Sequence, residues 1–320
     1  MAVAVYDYTM GGAPTLNGTP GTLISVLDYC LLPSGWTKPY SGANKAVYRS
    51  PAGNQFYLRV DDSGLDAPIG GNARVTAYES MSTVDVGTNP FPAAGQGSSG
   101  AGYVFWHKNV TAGGTGGAWR LIVTDKFVWF WARTQTNFTA GTGFVVCGFG
   151  DFPSKKTGDA FNTVLVGNVA ASFNGNYLSA GMQGEIATAG PVATGAIFVA
   201  RQQDQTGISQ PIRFVPFESD KMGGSGAADG TLSNATSFTC PHIPDGKIFI
   251  STIEIAEKPG ANCYWRGTLP GIYSLAGMGD AFFTDDLQIS VGGKTLLAAR
   301  AATSATSTYG WVLFEVSNTW

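Results

Sequence analysis

The chain predicts a mainly β protein of antiparallel, sandwich-like sheets with few short helices, and three observations carry that prediction. Glycine occurs 44 times and aromatic residues make up 12% of the 320 positions. That pairing suits short strands joined by tight turns and penalises helices, where each interior glycine costs about 1 kcal/mol. Runs of β-branched and aromatic residues recur at strand length, and Gly, Asn, Asp and Pro separate them. No internal repeat of fixed period runs through the chain.

Taken in order, the first periodic segment is 22–32, where Leu23, Val26, Leu27 and Cys30 fall on one helical face between Gly21 and Pro33. Strands are predicted at 56–60 (FYLRV), 73–78 (ARVTAY), 103–108 (YVFWHK), 119–124 (WRLIVT), 127–132 (FVWFWA) and 144–149 (FVVCGF). Thr124-Asp125-Lys126 reads as a hairpin tip between two of them, and 159–166 suits a short helix or a strand equally. The later strands are 196–200, 211–217, 247–255, 263–266, 287–291, 294–298 and 311–316. The length favours two β modules, 1–175 and 190–320, because the pattern fades into small and polar residues over 171–190. Residues 221–234 form a Gly/Ser/Ala/Asp-rich loop.

Charged residues are only 13% of the chain, about half of the roughly 25% of an average soluble domain. A surface coated instead by Gly, Ser, Thr, Asn and Gln offers little electrostatic resistance to packing against other protein, so assembly is expected. The net charge of -3 and the lack of any Lys/Arg run argue against nucleic acid as a partner. No stretch reaches the ~20 apolar residues of a membrane span. The opening residues lack the basic stretch of a signal peptide, which gives synthesis in the cytoplasm as the expectation. Cys30, Cys147, Cys240 and Cys263 form no CxxC pair and are read as buried thiols.

Catalytic motifs fail in turn. The two histidines, His107 and His242, have no motif partner, and no HExxH, GxSxG or Cys/His cluster occurs. Gly292-Gly293-Lys294-Thr295 lacks the first glycine of a phosphate loop and reads as a hairpin turn. Asp61-Asp62-Ser63-Gly64 and Asp285-Asp286 are acidic pairs that could meet calcium or act as acid and base, but the first lacks the alternation and final Glu of a calcium loop and turn chemistry accounts for it. No cofactor and no metal is therefore expected, and no catalytic residue is assigned. The recognition candidates are aromatic. Trp129 and Trp131 alternate along one strand and share a face with Phe127, while Val128 and Phe130 share the other. Two apolar faces favour a strand between packed layers, with a sugar-binding platform as the alternative. Trp36 and Tyr40 are either exposed loop rings for recognition or plugs at the base of the sheet.

The block 35–49 (GWTKPYSGANKAVYR) with 54–62 (NQFYLRVDD) resembles a recurrent block in virion structural proteins of tailed bacteriophages. So do 73–75 (ARV), 78–81 (YESM), Pro90-Phe91-Pro92 and 149–154 (FGDFPS). The likeness covers roughly residues 15 to 170 and returns at 266–272 (RGTLPGI) and 314–320 (FEVSNTW), with Thr268 standing where a basic residue is expected. The resemblance implies a non-enzymatic particle component, located in the virion, whose partners are copies of itself and other virion proteins. A tail or baseplate component is the first expectation; the alternatives are a capsid decoration protein, or a carbohydrate-binding module for a host surface glycan through Trp36, Tyr40, Trp129 or Trp131.

Overall fold

The computed structural model describes residues 3–65, 71–108, 113, 116–133, 144–168, 196–202, 204–206, 210–211, 213–215, 249–257, 264–276, 286–300, 311–317 and 320. His242, Cys240, Cys263, Asp285 and the loop 221–234 lie outside the described residues.

Along the chain the elements are β1 (Ala4–Asp7), α1 (Thr22–Leu31), β2 (Thr37–Gly42), β3 (Lys45–Arg49), β4 (Tyr57–Asp61), β5 (Asn72–Met81), β6 (Gly87–Phe91), β7 (Val104–His107), β8 (Trp119–Val123), β9 (Phe127–Arg133) and β10 (Phe144–Asp151). They continue with β11 (Thr163–Gly167), β12 (Ala196–Val199), β13 (Gln210–Pro211), β14 (Arg213–Val215), β15 (Phe249–Glu257), β16 (Tyr264–Ala276), β17 (Gln288–Val291), β18 (Lys294–Arg300) and β19 (Trp311–Glu315). The protein is mainly β, and the ladders between these strands are antiparallel. Helix α1 forms where its apolar period placed it, burying Leu23, Val26, Leu27, Cys30 and Leu31.

The strands make three sheets: β2-β3-β4-β5-β6, with β7 also on β5; β1-β8-β9-β10-β11-β12-β13; and β14-β15-β16-β19-β18-β17. The seven-stranded sheet is the middle layer. One of its faces packs Leu121, Val128, Phe130 and Phe149 against α1 and the first sheet, around Leu27, Tyr48, Val60 and Trp106. Its other face packs Ile122, Trp129, Trp131 and Val164 against Ile253, Ile272, Leu297 and Phe314 of the last sheet. Successive side chains of β9 thus enter two different cores, as expected for a strand that is apolar on both faces.

The change of sheet falls later than the composition suggests. Strand β12, expected in the C-terminal module, pairs with β11 of the first module through Val164↔Val199 and Leu165↔Phe198. The six-stranded last sheet begins only at Arg213. The physical reason is burial. Ile197 and Val199 enter one core and Phe198 the other, so β12 needs a layer covered on both sides. The span 171–190 lies outside the described residues.

Candidate functional site

Three of the four recognition aromatics, Trp36, Trp129 and Trp131, are core residues, the packed reading of each rather than the exposed-platform alternative. Trp36 is 2% exposed; its indole N–H donates to Thr124 O at 2.8 Å, and its ring meets Phe149 edge-on at 6.2 Å. It plugs the gap between α1 and the hairpin tip of the middle sheet. Trp129 and Trp131 are each 1% exposed. Trp129 donates to Pro270 O at 2.8 Å, and Trp131 lies between Phe314 at 6.1 Å and the Arg120 guanidinium at 5.2 Å. Both rings therefore fill the space between the middle and last sheets, where their indole area stabilises more than it would in water. Tyr40, on edge strand β2, is half-buried and donates its hydroxyl to Met81 O at 3.0 Å. The structure does not bring these four rings together.

Instead, segments 54–62, 149–154 and 266–272 meet one another at layer junctions. Phe152-Pro153-Ser154 lies on Arg266-Gly267-Thr268: Thr268 N–H donates to Pro153 O at 3.2 Å and Lys155 N–H to Arg266 O at 2.7 Å. A Cβ on Gly267 would sit 2.3 Å from Pro153 O, which explains the glycine. Arg266 is fully buried and reaches Asp159 at 3.1 Å, Phe161 O at 3.2 Å and Arg201 O. Burial alone would raise the Asp159 carboxyl, but the hydrogen bonds and charge of Arg266 outweigh it and hold the carboxyl low. At a second junction the Asn54 amide donates to Asn162 and Thr163 at 3.0 and 2.9 Å, and its backbone N–H to Asp151 at 2.5 Å. Burial pushes the Asp151 carboxyl up to about 6. Glu79 holds Arg201 through two bonds of 2.5 and 2.6 Å.

A cleft of about 770 Å³ opens between the middle and last sheets, lined in part by Asp7, Tyr8, Arg120, Asp286, Gln288 and Thr295. Arg120 crosses it, 2.5 Å from Asp7 and 2.5 Å from Asp286. Asp7 also accepts the N–H and hydroxyl of Thr9 at 2.9 and 2.8 Å. Carboxylates held this way act as a joint between sheets, since their lone pairs are already directed at donors within the chain. The Asp61-Asp62 pair is likewise ion-paired, Asp61 with Arg59 at 3.1 Å and Asp62 with Lys108 at 2.5 Å. Among the described residues, no group of three or more His, Cys, Asp and Glu is placed to hold a metal ion. His107 is fully buried beside Asn72, and burial depresses its pKa to about 3, so it stays neutral.

Sequence reasoning missed two features. Among the described residues, Trp265 is the aromatic ring that stands in solvent, 49% exposed with Lys155 Nζ at 5.9 Å. It lies in the strand-like run around Tyr264, where nothing in the alternation marks which ring faces out. The other feature is the buried Arg266 joint, hidden because a lone arginine in a strand reads as a surface residue.

No family model matches the chain, and no curated protein matches it.

Proposed function

We propose that this chain is a non-enzymatic structural component of a tailed-bacteriophage virion, placed at the tail or baseplate and assembling with other virion proteins. The reading rests on the sequence resemblance of residues 15 to 170 to virion structural proteins. Its supports are physical. The residues of those blocks are spent on holding layers together: Trp36 on Thr124, Asn54 on Asp151, Pro153 on Thr268. A chain with 13% charged residues also presents little repulsion to a protein neighbour. The glycan reading loses Trp36, Trp129 and Trp131 as stacking surfaces, because a ring in a core cannot meet a sugar.

The test is gold-antibody labelling of the protein on intact purified particles, viewed by electron microscopy. Label confined to the tail is the expected result. Label spread over the head would replace the tail placement with capsid decoration, and absence from the particle would remove the virion reading altogether.

A further inference from the structure

Among the described residues, most strand edges carry a feature that disfavours pairing with another chain. Strand β2 contains Lys38 and Pro39, β6 contains Pro90 and β13 contains Pro211. Strand β1 ends on Asp7, and β7 is bridged at Phe105 to Asn168. Proline removes a ladder donor and charge resists burial, which are the usual means of keeping edges apart. Strand β17 reads Gln288-Ile289-Ser290-Val291 and has neither. Among the described residues it is the outermost strand of the last sheet, with Gln288, Ser290 and Val291 exposed.

The geometry of that edge is suited to another strand. Gly292 and Gly293, with φ of 57° and 78°, make a two-residue turn, so Val291↔Lys294 is a hydrogen-bonded pair and Ile289↔Leu296 is the next. The N–H and C=O of Gln288 and of Ser290 therefore point away from β18, along the open edge. On the outer face of the same sheet, Leu287, Ile289 and Val291 form an apolar stripe. Leu287 and Ile289 are half-buried against Leu296, Ala298 and Leu313, and Val291 is 41% exposed.

We propose that β17 is a docking edge for a second copy of this chain, the two strands pairing antiparallel about a twofold axis to join their sheets into one. Self-pairing is favoured because the edge is uncharged and meets no repulsion from itself. It also presents complementary groups: Gln288 of each strand lies opposite Ser290 of the other, and each pair exchanges N–H and C=O. In that register the two Ile289 side chains face each other across the axis, and the two apolar stripes become continuous. This surface goes beyond the proposed virion role and holds whether or not the protein is a particle component. An edge this short gives a modest interface, with a dissociation constant on the order of micromolar.

The experiment is sedimentation velocity of the full chain over concentrations that bracket that range. A reversible dimer is expected. Ser290→Pro removes an outward N–H that β18 does not use, and Val291→Lys puts a charge in the stripe. Each should weaken the dimer at least about tenfold while thermal unfolding stays at the wild-type midpoint. If Ser290→Pro lowers the midpoint, Val291→Lys decides. Independently, Ile289→Cys should form a covalent dimer on mild oxidation that the wild type does not form. A wild type that stays monomeric, a natively stable variant that dimerises as well as the wild type, or an Ile289→Cys protein without the covalent dimer would each overturn the proposal.

Discussion

Asp62 and Lys108 form an ion pair of 2.5 Å with both side chains fully buried, and the same Asp62 carboxylate caps helix α1 by accepting the N–H of Leu23 at 2.9 Å. The cap is supplied from another element because Gly21, at the helix start, has no side chain to offer. Lys108 adds a bond to Thr19 O at 2.9 Å, in the turn that leads into the helix. Burial pushes the carboxyl up and the ammonium down, and each charge partly restores the other. Asp62→Ala should therefore cost roughly 3–5 kcal/mol in urea unfolding, since it strands a buried ammonium and uncaps α1. Asp62→Leu combined with Lys108→Met should cost less than Asp62→Ala alone; an equal or greater loss would show that capping, not the stranded charge, dominates.

Arg266 should behave similarly at the other junction. Arg266→Met leaves Asp159 buried without its partner, and a loss of roughly 3–5 kcal/mol is expected. Arg266→Lys should recover little of it, because an ammonium cannot span Asp159, Phe161 O and Arg201 O as a planar fork does. Near wild-type stability for the lysine variant would show that charge alone suffices.

Gly267→Ala tests the contact between the two motif blocks. The added methyl meets Pro153 O and the Phe152 ring, so a loss of about 1–3 kcal/mol is expected from overpacking. Gly292→Ala supplies the comparison: its Cβ meets nothing within 4 Å, and only the positive φ of 57° opposes it. The Gly267 variant should be the less stable by denaturant midpoint.

Trp36→Ala should destabilise the fold, independent of any glycan. Truncating a fully packed indole costs roughly 3–5 kcal/mol. Trp265→Ala, at an exposed ring, should leave the unfolding midpoint within about 0.5 kcal/mol of wild type. A tolerated Trp36→Ala would contradict its role as the plug between α1 and the middle sheet.

Two groups should drive stability in opposite directions as pH changes. His107 has a folded pKa of about 3, below its unfolded 6.5. Its contribution is complete above pH 6.5 and is lost as pH falls toward 3, by up to about 4–5 kcal/mol. Asp151 has a folded pKa of about 6, above its unfolded 3.8. The fold favours its neutral form, so its contribution is complete below pH 3.8 and is lost as pH rises through 6, by at most about 3 kcal/mol. The wild type minus His107→Gln difference should therefore grow with pH, and the wild type minus Asp151→Asn difference should shrink, in unfolding measured at pH 4, 5, 6 and 7. Parallel curves for either pair would contradict the corresponding burial.

The local elements of this protein were legible in its sequence because local physics decides them. The 3.6 period of Leu23, Val26, Leu27 and Cys30 specified α1, the two apolar faces of residues 127–132 specified a strand between layers, and Gly292-Gly293 specified a hairpin. What only the tertiary structure decided is how those elements stack and which side chains close the joints. Strand β12 belongs to the middle sheet because Ile197, Phe198 and Val199 need cover on both sides, although a stretch of small and polar residues separates it from β11. Trp36 turns inward because Thr124 O, 88 positions away, accepts its N–H. Arg266, Asp62 and Lys108 are buried because their partners lie on other elements, and no local pattern encodes a partner that the fold alone brings within hydrogen-bonding distance.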